Sequence, residues 1–518
     1  MRIGVDVGGT NTDAVLMDGE KVIAACKMPT TANVSDGIVN AIDKVLKDGN
    51  ATPASIHAVM IGTTHFTNAF VERRGLLPVG ILRIALPATR ALPPMIDWPQ
   101  DIAKTVYGQH HLVKGGYQYD GRINSDLDEN AIALAAREMK GAGIKSVAVS
   151  CVFSPINKKM EERAEEIILN EIPDAAVTLS SEIGRIGLLE RENAGIMNAA
   201  LSGLASKVVS SFRTALSDLK ITAPFFISQN DGTLMQADRV EKYPVLTFSS
   251  GPTNSMRGAA YLSGAKNALV ADIGGTTTDI GILSNGFPRE SSIAVDIGGV
   301  RTNFRMPDVF ALGLGGGSIV TSETNVCVGP QSVGFRLTEK ALVFGGQTTT
   351  ASDIAVAAGY ADFGDKNLVK HLTPDFVERA VQRIHGIVSD GVDRMKTSAD
   401  DLPLILVGGG SVLINREIAG TSETIIPENA GVANAIGASI AQIGGEIDQV
   451  FSYEQLGRDQ AIAQAKADAI EKAVDAGAVK KTIEVIDLEE LPLAYVPGGA
   501  VRLRVKVAGN LDINTSLG

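Results

Sequence analysis

The chain is poor in cysteine and in aromatic residues. It contains three cysteines, Cys26, Cys151 and Cys327, one tryptophan, and 5% aromatic residues in total. Three scattered cysteines are too few for the disulfide framework of a small secreted domain, and their spacing does not match a cysteine-rich zinc site. This usage is typical of a reducing compartment, and we expect the chain to be cytoplasmic.

Long hydrophobic runs and an excess of positive charge are also missing. No apolar segment of the sequence approaches the roughly 20 residues that a membrane-spanning helix needs. The first residues, MRIGVDVGGT, lack the charged and apolar regions of a signal peptide. The 47 lysines and arginines are outnumbered by 59 aspartates and glutamates, which gives a formal net charge of −12. Because nucleic-acid-binding proteins usually carry a basic excess, we expect neither a membrane nor a nucleic acid as partner.

What remains is the composition of a large globular chain. Its 518 residues are too many for one compact core and indicate several domains. Hydrophobic residues make up 45% and charged residues 20% of the chain, which is enough apolar material to build cores. Glycine is the outlier, because its 55 residues exceed the usual share of about 7%. Most of this excess lies in short clusters beside apolar, strand-like segments.

Two of these clusters are similar to each other. Residues 5–13 read VDVGGTNTD and residues 271–279 read ADIGGTTTD. Asp6 aligns with Asp272 and Asp13 with Asp279, at a constant offset of 266 residues, and both glycines coincide as well. A match of this length, in this order, predicts a duplicated fold whose halves begin near residues 1 and 268.

Each copy has the composition of a β-hairpin that contacts a ligand. An apolar run precedes the aspartate, two glycines follow it, and a second apolar run comes after the threonines. Glycines let backbone N–H groups approach a ligand closely, and threonine hydroxyls add donors. A carboxylate at the end of a strand can hold a hydrated cation or orient a nucleophile. The duplicated pattern therefore favours a phosphate bound with Mg²⁺ over a plain tight hairpin, although one copy alone would fit either.

Three further segments are rich in glycine or other small residues. An apolar run at 404–407 leads into Gly408, Gly409, Gly410 and Ser411, a predicted strand, turn and helix that suits contact with a nucleotide. The small residues of 431–438 predict a helix that packs tightly against a neighbour. The turn at 315–318, with sequence GGGS, either contacts nucleotide or substrate or is purely structural.

The order of these motifs resembles the ASKHA superfamily of actin, sugar kinases and Hsp70 ATPases. More specifically, the chain resembles the A-type, ATP-binding subunit of the hydantoinase/oxoprolinase family. The similarity runs from residue 4 to about residue 440 and includes Gly62-Thr63-Thr64, Ser250-Gly251-Pro252 and 272–279. The chain departs from the family at Thr253-Asn254-Ser255, where small residues are common. It is also shorter than many A subunits, so it resembles a divergent, short branch.

The resemblance implies an α/β fold of the duplicated RNase H-like (ASKHA) type, with two lobes around a cleft and a small C-terminal α/β unit. We expect the first lobe to start within residues 1–80 and to continue, or to carry an insertion, at 81–245. Residues 246–444 would form the second lobe. Residues 445–518 would form the appended unit, with a long helix at 453–476 and a strand at 501–507. The alternating basic residues of that strand predict either a solvated face or a contact with an acidic partner.

The resemblance also implies a reaction, in which ATP phosphorylates the carbonyl oxygen of a cyclic amide such as a hydantoin or 5-oxoproline. Asp6 and Asp272 would be the catalytic carboxylates and would position Mg²⁺ through water. The residues implied in nucleotide binding are Gly8, Gly9, Thr10, Asn11 and Thr12 in the first hairpin, Gly274, Gly275, Thr276, Thr277 and Thr278 in the second, and Gly408, Gly409, Gly410 and Ser411 on the adenosine side.

The sequence offers no complete hydrolytic site. It contains no spaced metal-ligand motif, no G-x-S-x-G turn and no cysteine in a nucleophile context. This absence favours a partner, and the resemblance implies that a B-type subunit supplies the hydrolytic site in an oligomeric assembly. Glu72, Glu190 and Glu192 are the alternative bases within this chain. Two other functions of the same fold stay open: a small-molecule kinase, and a regulatory or carboxylase-type ATPase subunit.

Overall fold

The computed structural model describes residues 1–8, 11–29, 34–291, 295–304, 306–322, 325–493 and 499–512. These residues form the expected α/β fold, with one large sheet in each of two lobes. Gly9 and Thr10, both expected to hold phosphate, lie outside the described residues. None of the described helices combines the length and the hydrophobicity needed to cross a membrane.

The first half of the chain alternates strands and helices. Its elements are β1 (Arg2–Val7), β2 (Asn11–Asp18), β3 (Lys21–Pro29), α1 (Val34–Asp48), β4 (Ala58–Thr63), α2 (His65–Val71), β5 (Val79–Leu86), α3 (Gln100–Val106), β6 (Tyr107–Lys114), β7 (Gly116–Tyr117), β8 (Ile123–Ser125), α4 (Glu129–Gly141), β9 (Ser146–Cys151), α5 (Lys159–Glu171), β10 (Ala176–Leu179), α6 (Leu188–Asp218), β11 (Phe225–Ser228), β12 (Thr233–Gln236) and α7 (Ala237–Lys242).

Most of these strands belong to two sheets. In a nine-stranded sheet, β1 pairs with antiparallel β2 and with parallel β4, and β3, β11 and β12 extend the two sides. Strands β5, β6, β9 and β10 form a separate parallel sheet. That sheet has its own hydrophobic core with α4 and α5, which includes Leu82, Val147, Ile132 and Ile168. Residues 79–179 are therefore a structural unit of their own within the first half.

The second lobe is built around a smaller sheet. Its elements are α8 (Ser250–Ser263), β13 (Ala268–Ile273), β14 (Thr278–Ser284), β15 (Phe287–Pro288), β16 (Val295–Ile297), β17 (Val300–Thr302), β18 (Val309–Leu312), β19 (Ser318–Ser322), β20 (Val326–Ser332), α9 (Leu337–Lys340), α10 (Ala351–Ala357), α11 (Pro374–Met395), β21 (Leu402–Val407), β22 (Thr421–Ile425) and α12 (Ala433–Ile440). The strand order is β15-β14-β13-β21-β22, and β18 also pairs with β14.

The two predicted hairpins repeat each other pair by pair. Asp6 of β1 lies opposite Asp13 of β2, and Asp272 of β13 lies opposite Asp279 of β14. The same offset of 266 residues relates all six pairs of the two ladders. Each leading strand also has a parallel neighbour, β4 for β1 and β21 for β13. The predicted duplication is confirmed.

Two helices rich in small residues cross between the lobes. A Cβ atom on Gly258 of α8 would lie 1.9 Å from the carbonyl oxygen of Ala433, and one on Gly437 of α12 would lie 1.8 Å from that of Asn254. Glycine therefore lets the two helix backbones touch. Gly4 of β1 allows the same approach, because a Cβ there would lie 2.2 Å from the carbonyl oxygen of Ala435. The tight packing predicted for residues 431–438 is confirmed.

The C-terminal unit extends the first sheet. It consists of β23 (Gln442–Ser452), α13 (Tyr453–Leu456), α14 (Arg458–Asp475), β24 (Glu484–Pro492) and β25 (Ala500–Gly509). β23 pairs in parallel with β12 and antiparallel with β25, so these strands continue the nine-stranded sheet. The basic residues of β25 do not form a solvated face, because Arg504 and Lys506 are buried and both contact Glu290 of the second lobe. Glu290, a residue of the same chain, is therefore an acidic partner of this strand.

Candidate functional site

The two hairpin turns have the same internal geometry. The backbone N–H of Gly8 donates to the carbonyl oxygen of Asn11 at 2.9 Å, and that of Gly274 donates to the carbonyl oxygen of Thr277, also at 2.9 Å. Each turn follows a largely buried strand whose second-to-last residue is the aspartate, Asp6 in β1 and Asp272 in β13, so the aspartate lies near the rim of its sheet. The duplicated sequence therefore produces two equivalent turns with equivalent carboxylates.

Asp6 is buried among amide donors. Its Oδ1 accepts a hydrogen bond from Asn254 Nδ2 at 3.2 Å, and its Oδ2 accepts one from Asn434 Nδ2 at 3.0 Å. Burial raises the pKa of Asp6 to about 6; the hydrogen bond from Asn254 opposes the rise, and the negative charges of Asp13 and Asp272 add to it. Asp272, the equivalent carboxylate of the second lobe, is thus one of the negative charges that act on Asp6.

The second hairpin holds its carboxylates in a similar environment. Ser255 Oγ donates to Asp272 Oδ2 at 2.5 Å. Burial raises the pKa of Asp272, while the hydrogen bond from Ser255 and the positive charge of Lys27 oppose the rise. Burial also raises the pKa of Asp279, to about 7, with a smaller contribution from the negative charge of Asp272. The site is thus electrostatically tuned to receive positive charge.

Lys27 is a functional candidate that the sequence reasoning missed. It lies opposite Asp13 in the pairing of β3 with β2, and its Nζ is 2.6 Å from Asp13 Oδ2. The same Asp13 oxygen also accepts a hydrogen bond from Asn434 Nδ2 at 2.7 Å. Lys27 is partly exposed and thus accessible to a ligand of the cleft. The signal for Lys27 is the antiparallel register of residues 11–18 with 21–29, because this register places Lys27 opposite Asp13.

Three glycine-rich segments meet at the second turn. The backbone N–H groups of Gly316 and Gly317 donate to the carbonyl oxygens of Gly274 and Gly275, at 3.0 and 2.7 Å. The N–H of Gly410 donates to the carbonyl oxygen of Ile273 at 2.7 Å. The turn at 315–318, whose role the sequence left open, therefore supports the second hairpin directly. The predicted helix after Gly410 is one turn of 3-10 helix, Ser411–Leu413.

Glycine is required at two of these approaches. Gly408 has φ +83°, and a Cβ there would lie 2.3 Å from Asp272 Oδ1. In the first lobe, a Cβ on Gly62 would lie 2.2 Å from Asp6 Oδ1. The backbone of β4 therefore covers Asp6, and the turn after β21 covers Asp272. Neither position leaves room for a side chain between the backbone and the carboxylate.

The hydroxyl and glycine residues expected to bind phosphate differ in exposure. Gly275, Thr276 and Thr277 are exposed at the second turn, Gly8 and Asn11 are half-buried at the first, and Gly409 is exposed after β21. Thr12 and Thr278, in contrast, are fully buried, and Thr278 Oγ1 donates to the carbonyl oxygen of Leu314 at 2.7 Å. This hydrogen bond favours a role for Thr278 in bracing the hairpin rather than in direct phosphate contact. Ser411 is buried as well.

The glutamates considered as bases lie in different surroundings. Glu192 is buried and forms an ion pair with Arg83, which is also buried, and it accepts a hydrogen bond from Ser150 Oγ at 2.8 Å. It is therefore a closed structural contact. Glu72 pairs with Arg74 at the surface, and Glu190 lies 3.6 Å from Arg301. In the described part of the chain, none of these three glutamates contacts Asp6 or Asp272.

A hydrated cation fits the surroundings of Asp6. Among the described residues, no group of three or more histidine, cysteine, aspartate or glutamate side chains is arranged to chelate a metal ion directly. Two buried oxygens, Asp13 Oδ1 and Asn254 Oδ1, receive no hydrogen bond from any described residue. Carboxylate and amide oxygens of this kind suit Mg²⁺ that keeps most of its water. The residues therefore fit Mg²⁺ that is held through its own water molecules.

The fold and this site define a two-lobe α/β chain in which duplicated hairpins place equivalent glycine-rich turns and aspartates in the two sheets. Residues 2–172 match the N-terminal region of hydantoinase/oxoprolinase proteins, and residues 191–365 match the hydantoinase/oxoprolinase domain. The chain belongs to the hydantoinase/oxoprolinase family, as its motifs suggested.

Relatives of the chain include subunits of two kinds of enzyme. The caprolactamase subunit alpha of Pseudomonas jessenii is 28% identical over 397 residues, which cover 69% of this chain and 54% of that protein. The acetophenone carboxylase gamma subunit of Aromatoleum aromaticum is also 28% identical over 397 residues, covering 69% of this chain and 53% of that protein. The chain thus spans about half the length of these two relatives.

A solved structure shares the fold over nearly the whole chain. The ATP-dependent caprolactamase from Pseudomonas jessenii superposes with a TM-score of 0.76 at 22% identity, and the match covers 99% of this chain and 88% of that chain. The match includes the C-terminal strands, which indicates that the extension of the first sheet is part of the shared architecture.

Proposed function

We propose that the chain is the ATP-binding subunit of an enzyme that opens a cyclic amide by phosphorylating its carbonyl oxygen. The observation that carries the proposal is the pair of equivalent turns, whose leading aspartates Asp6 and Asp272 accept hydrogen bonds from the consecutive residues Asn254 and Ser255 of α8. Two phosphate-binding turns that face each other suit one polyphosphate shared by both lobes. The relation to the caprolactamase subunit supports a cyclic amide as the acceptor.

The residues divide into three groups by their place in the cleft. Backbone N–H groups and exposed hydroxyls of the second turn, Thr276 and Thr277, would bind the phosphates together with Gly8 and Asn11 of the first. Lys27 would offset phosphate charge beside the carboxylates. Gly408–Ser411 would contact the adenosine side. Asp6 and Asp272 would hold Mg²⁺ through water, which lowers the charge repulsion among the phosphates.

The reaction needs activation because an unstrained amide is a poor electrophile. The amide carbonyl oxygen attacks the γ-phosphorus, the bond from that phosphorus to the bridging oxygen breaks, and ADP leaves. Water then adds to the activated carbon, and the ring C–N bond breaks as the nitrogen takes a proton, which leaves an acyl phosphate. A second water releases inorganic phosphate and the carboxylate. We propose that a B-type partner positions these waters, since Glu192 is held in its ion pair with Arg83.

A carboxylase-type role is the second candidate. It rests on the relation to the acetophenone carboxylase gamma subunit, which has the same identity to this chain as the caprolactamase subunit, 28% over 397 residues. In that case the same turns and carboxylates would bind the nucleotide, while the phosphate acceptor would differ. The two candidates therefore share the cleft and differ in the substrate.

The test is a product assay on the purified chain with Mg-ATP, with and without the protein encoded beside it. The substrates are a panel of lactams and hydantoins, and separate reactions contain ketones with bicarbonate. The proposal predicts ring-opened product and inorganic phosphate in equal amounts, only with the partner present, and none with Asp272→Ala. A stable phosphorylated product would indicate a kinase, and a carboxylated ketone would indicate the carboxylase role. Multiple turnover of a lactam by the chain alone would contradict the need for a partner.

A further inference from the structure

Two consecutive residues of α8 contact the leading aspartates of both lobes. Asn254 Nδ2 donates to Asp6 Oδ1 at 3.2 Å, and Ser255 Oγ donates to Asp272 Oδ2 at 2.5 Å. Both side chains are buried, with Asn254 fully inaccessible and Ser255 2% exposed. Successive positions of a helix point about 100° apart, since a turn takes about 3.6 residues. One short stretch of helix can therefore reach a carboxylate on each side of it.

The helix that carries these residues is fixed in position. The Cβ atom that Gly437 lacks would lie 1.8 Å from the carbonyl oxygen of Asn254 itself, so α12 and α8 touch at this point. α12 in turn supplies Asn434, the second amide donor to Asp6. Movement of α8 relative to α12 would therefore shift Asn254 against Asp6 and Ser255 against Asp272 together.

The first lobe leaves room for this contact. A Cβ on Gly62 would lie 2.2 Å from Asp6 Oδ1 and 2.3 Å from Asn254 Nδ2, so the glycine admits the amide beside the carboxylate. The other amide atom of this side chain, Asn254 Oδ1, accepts no hydrogen bond from any described residue.

We propose that Asn254 and Ser255 are positioning residues, which hold Asp6 and Asp272 in the mutual arrangement that a shared Mg-nucleotide requires. This inference rests on the proposed function. Through Asn254, a helix of the second lobe fixes a carboxylate of the first. Through Ser255, the adjacent position fixes the equivalent carboxylate of the second. The two halves of the site are thereby aligned by one rigid element, which restricts the rotamers of both carboxylates.

Thr253 offers a matched control on the same helix. It is fully buried, and its Oγ1 donates to the carbonyl oxygens of Asn230 and Ser249, both at 3.0 Å, without touching either aspartate. Thr253→Val removes the buried hydroxyl but keeps a side chain of similar size. It leaves the contacts of Asn254 with Asp6 and of Ser255 with Asp272 in place. Comparison with Thr253→Val therefore distinguishes a variant that only loses stability from one that no longer positions the carboxylates.

The experiment compares the full-length chain with Asn254→Ala, Ser255→Ala, Ser255→Thr and Thr253→Val. Calorimetry measures the affinity for a non-hydrolysable ATP analogue over a range of Mg²⁺ concentrations, and thermal unfolding measures stability. We expect Asn254→Ala and Ser255→Ala each to raise the Mg²⁺ concentration for half-maximal binding about tenfold, or about 1.4 kcal/mol. Ser255→Thr, which keeps the hydroxyl, should restore the wild-type value. Thr253→Val should lower the unfolding temperature without changing the Mg²⁺ requirement.

The outcomes separate this inference from the function on which it rests. If the wild-type chain binds the analogue with Mg²⁺ and both alanine variants show the Mg²⁺ requirement of Thr253→Val, the positioning role is wrong while the nucleotide site stands. If the Ser255→Thr chain behaves like Ser255→Ala, the hydroxyl is not what acts on Asp272, and the role of Ser255 is wrong. If the wild-type chain does not bind the analogue at any Mg²⁺ concentration, the proposed function and this inference both fail.

Discussion

Lys27 Nζ lies 2.6 Å from Asp13 Oδ2, and this contact brings a cation to the edge of a cleft that carries several carboxylates. Asp13 is itself buried and also accepts a hydrogen bond from Asn434. The positive charge of Lys27 extends to the second lobe, where it lowers the pKa of Asp272 against the rise caused by burial. A polyphosphate that enters between the carboxylates therefore meets a cation already in place.

Replacing this cation should weaken nucleotide binding. We expect Lys27→Met to raise the Kd for Mg-ATP about tenfold or more, since a charge-assisted contact is worth about 1.5–3 kcal/mol. Lys44→Met is the control, because Lys44 pairs with Asp48 on the exposed face of α1. Calorimetric titration of the two variants decides the point. Equal affinities for both variants and the wild type would show that Lys27 only supports Asp13.

The crossing of α8 and α12 should be intolerant of a single methyl group. A Cβ on Gly437 would lie 1.8 Å from the carbonyl oxygen of Asn254, so Gly437→Ala must push the helices apart. Overpacking of this kind costs about 1–3 kcal/mol of the free energy of unfolding. Gly431→Ala provides the control, because a Cβ there meets no atom within 4 Å. Denaturant unfolding should show a loss only for Gly437→Ala; equal stability of both variants would refute the close crossing.

The pKa of Asp279 predicts how stability changes with pH. Burial raises this pKa to about 7 in the folded chain, above the value of about 3.9 expected when unfolded. The protonated form is therefore favoured by folding, so its stabilising contribution is complete below about pH 4 and is lost as the pH rises through about 7. In the absence of Mg²⁺ and nucleotide, Asp279→Asn should be more stable than the wild type at pH 8, by about 2 kcal/mol.

This advantage should shrink as the pH falls to 5.5, because the wild-type carboxyl then carries its proton. Asp18→Asn, at the exposed end of β2, serves as the control for a general change in charge. Thermal unfolding of the three chains at both pH values is the measurement. An Asp279→Asn chain that is no more stable than the wild type at pH 8 would argue against a buried, destabilised carboxylate.

Glu192 should prove structural rather than catalytic. Removing its charge leaves Arg83 buried without its ionic partner, which typically costs about 3–5 kcal/mol. We expect Glu192→Gln to unfold at a markedly lower denaturant concentration, and the double variant Arg83→Met with Glu192→Leu to recover much of the loss. If Glu192→Gln instead kept full stability but lost ring-opening activity with the partner present, Glu192 would be the general base.

Local patterns were enough to predict the two hairpins and the glycine-rich segments around them. The hairpins follow from apolar runs and turn residues over short distances, and the strand pairing of both hairpins confirms them. The duplication was visible because the ligand contacts demand the same residue types in both copies. The close helix at 433–440 was visible because only small residues allow backbone contact.

Contacts between distant segments could not be predicted in the same way. The pairing of Thr233 with Gln442, which joins the C-terminal strands to the first sheet, leaves no local signal. The sequence left the basic face of β25 open between solvent and an acidic partner, because its alternation is the same whether the partner is water or a buried acid such as Glu290. Asn254 stood out only as a departure from related sequences, and its contact with Asp6 spans 248 residues of chain.

The most direct test of the central claim is a crystal structure of the chain with Mg²⁺ and a non-hydrolysable ATP analogue. The account predicts the β- and γ-phosphates between the turns that follow β1 and β13, within hydrogen-bonding distance of Thr276 and Thr277. The metal should be linked to Asp6 and Asp272 through water, and the adenosine should lie beside Gly408–Ser411. A nucleotide bound outside the cleft, or held by one hairpin with the other turned away, would contradict the shared site on which the proposed function depends.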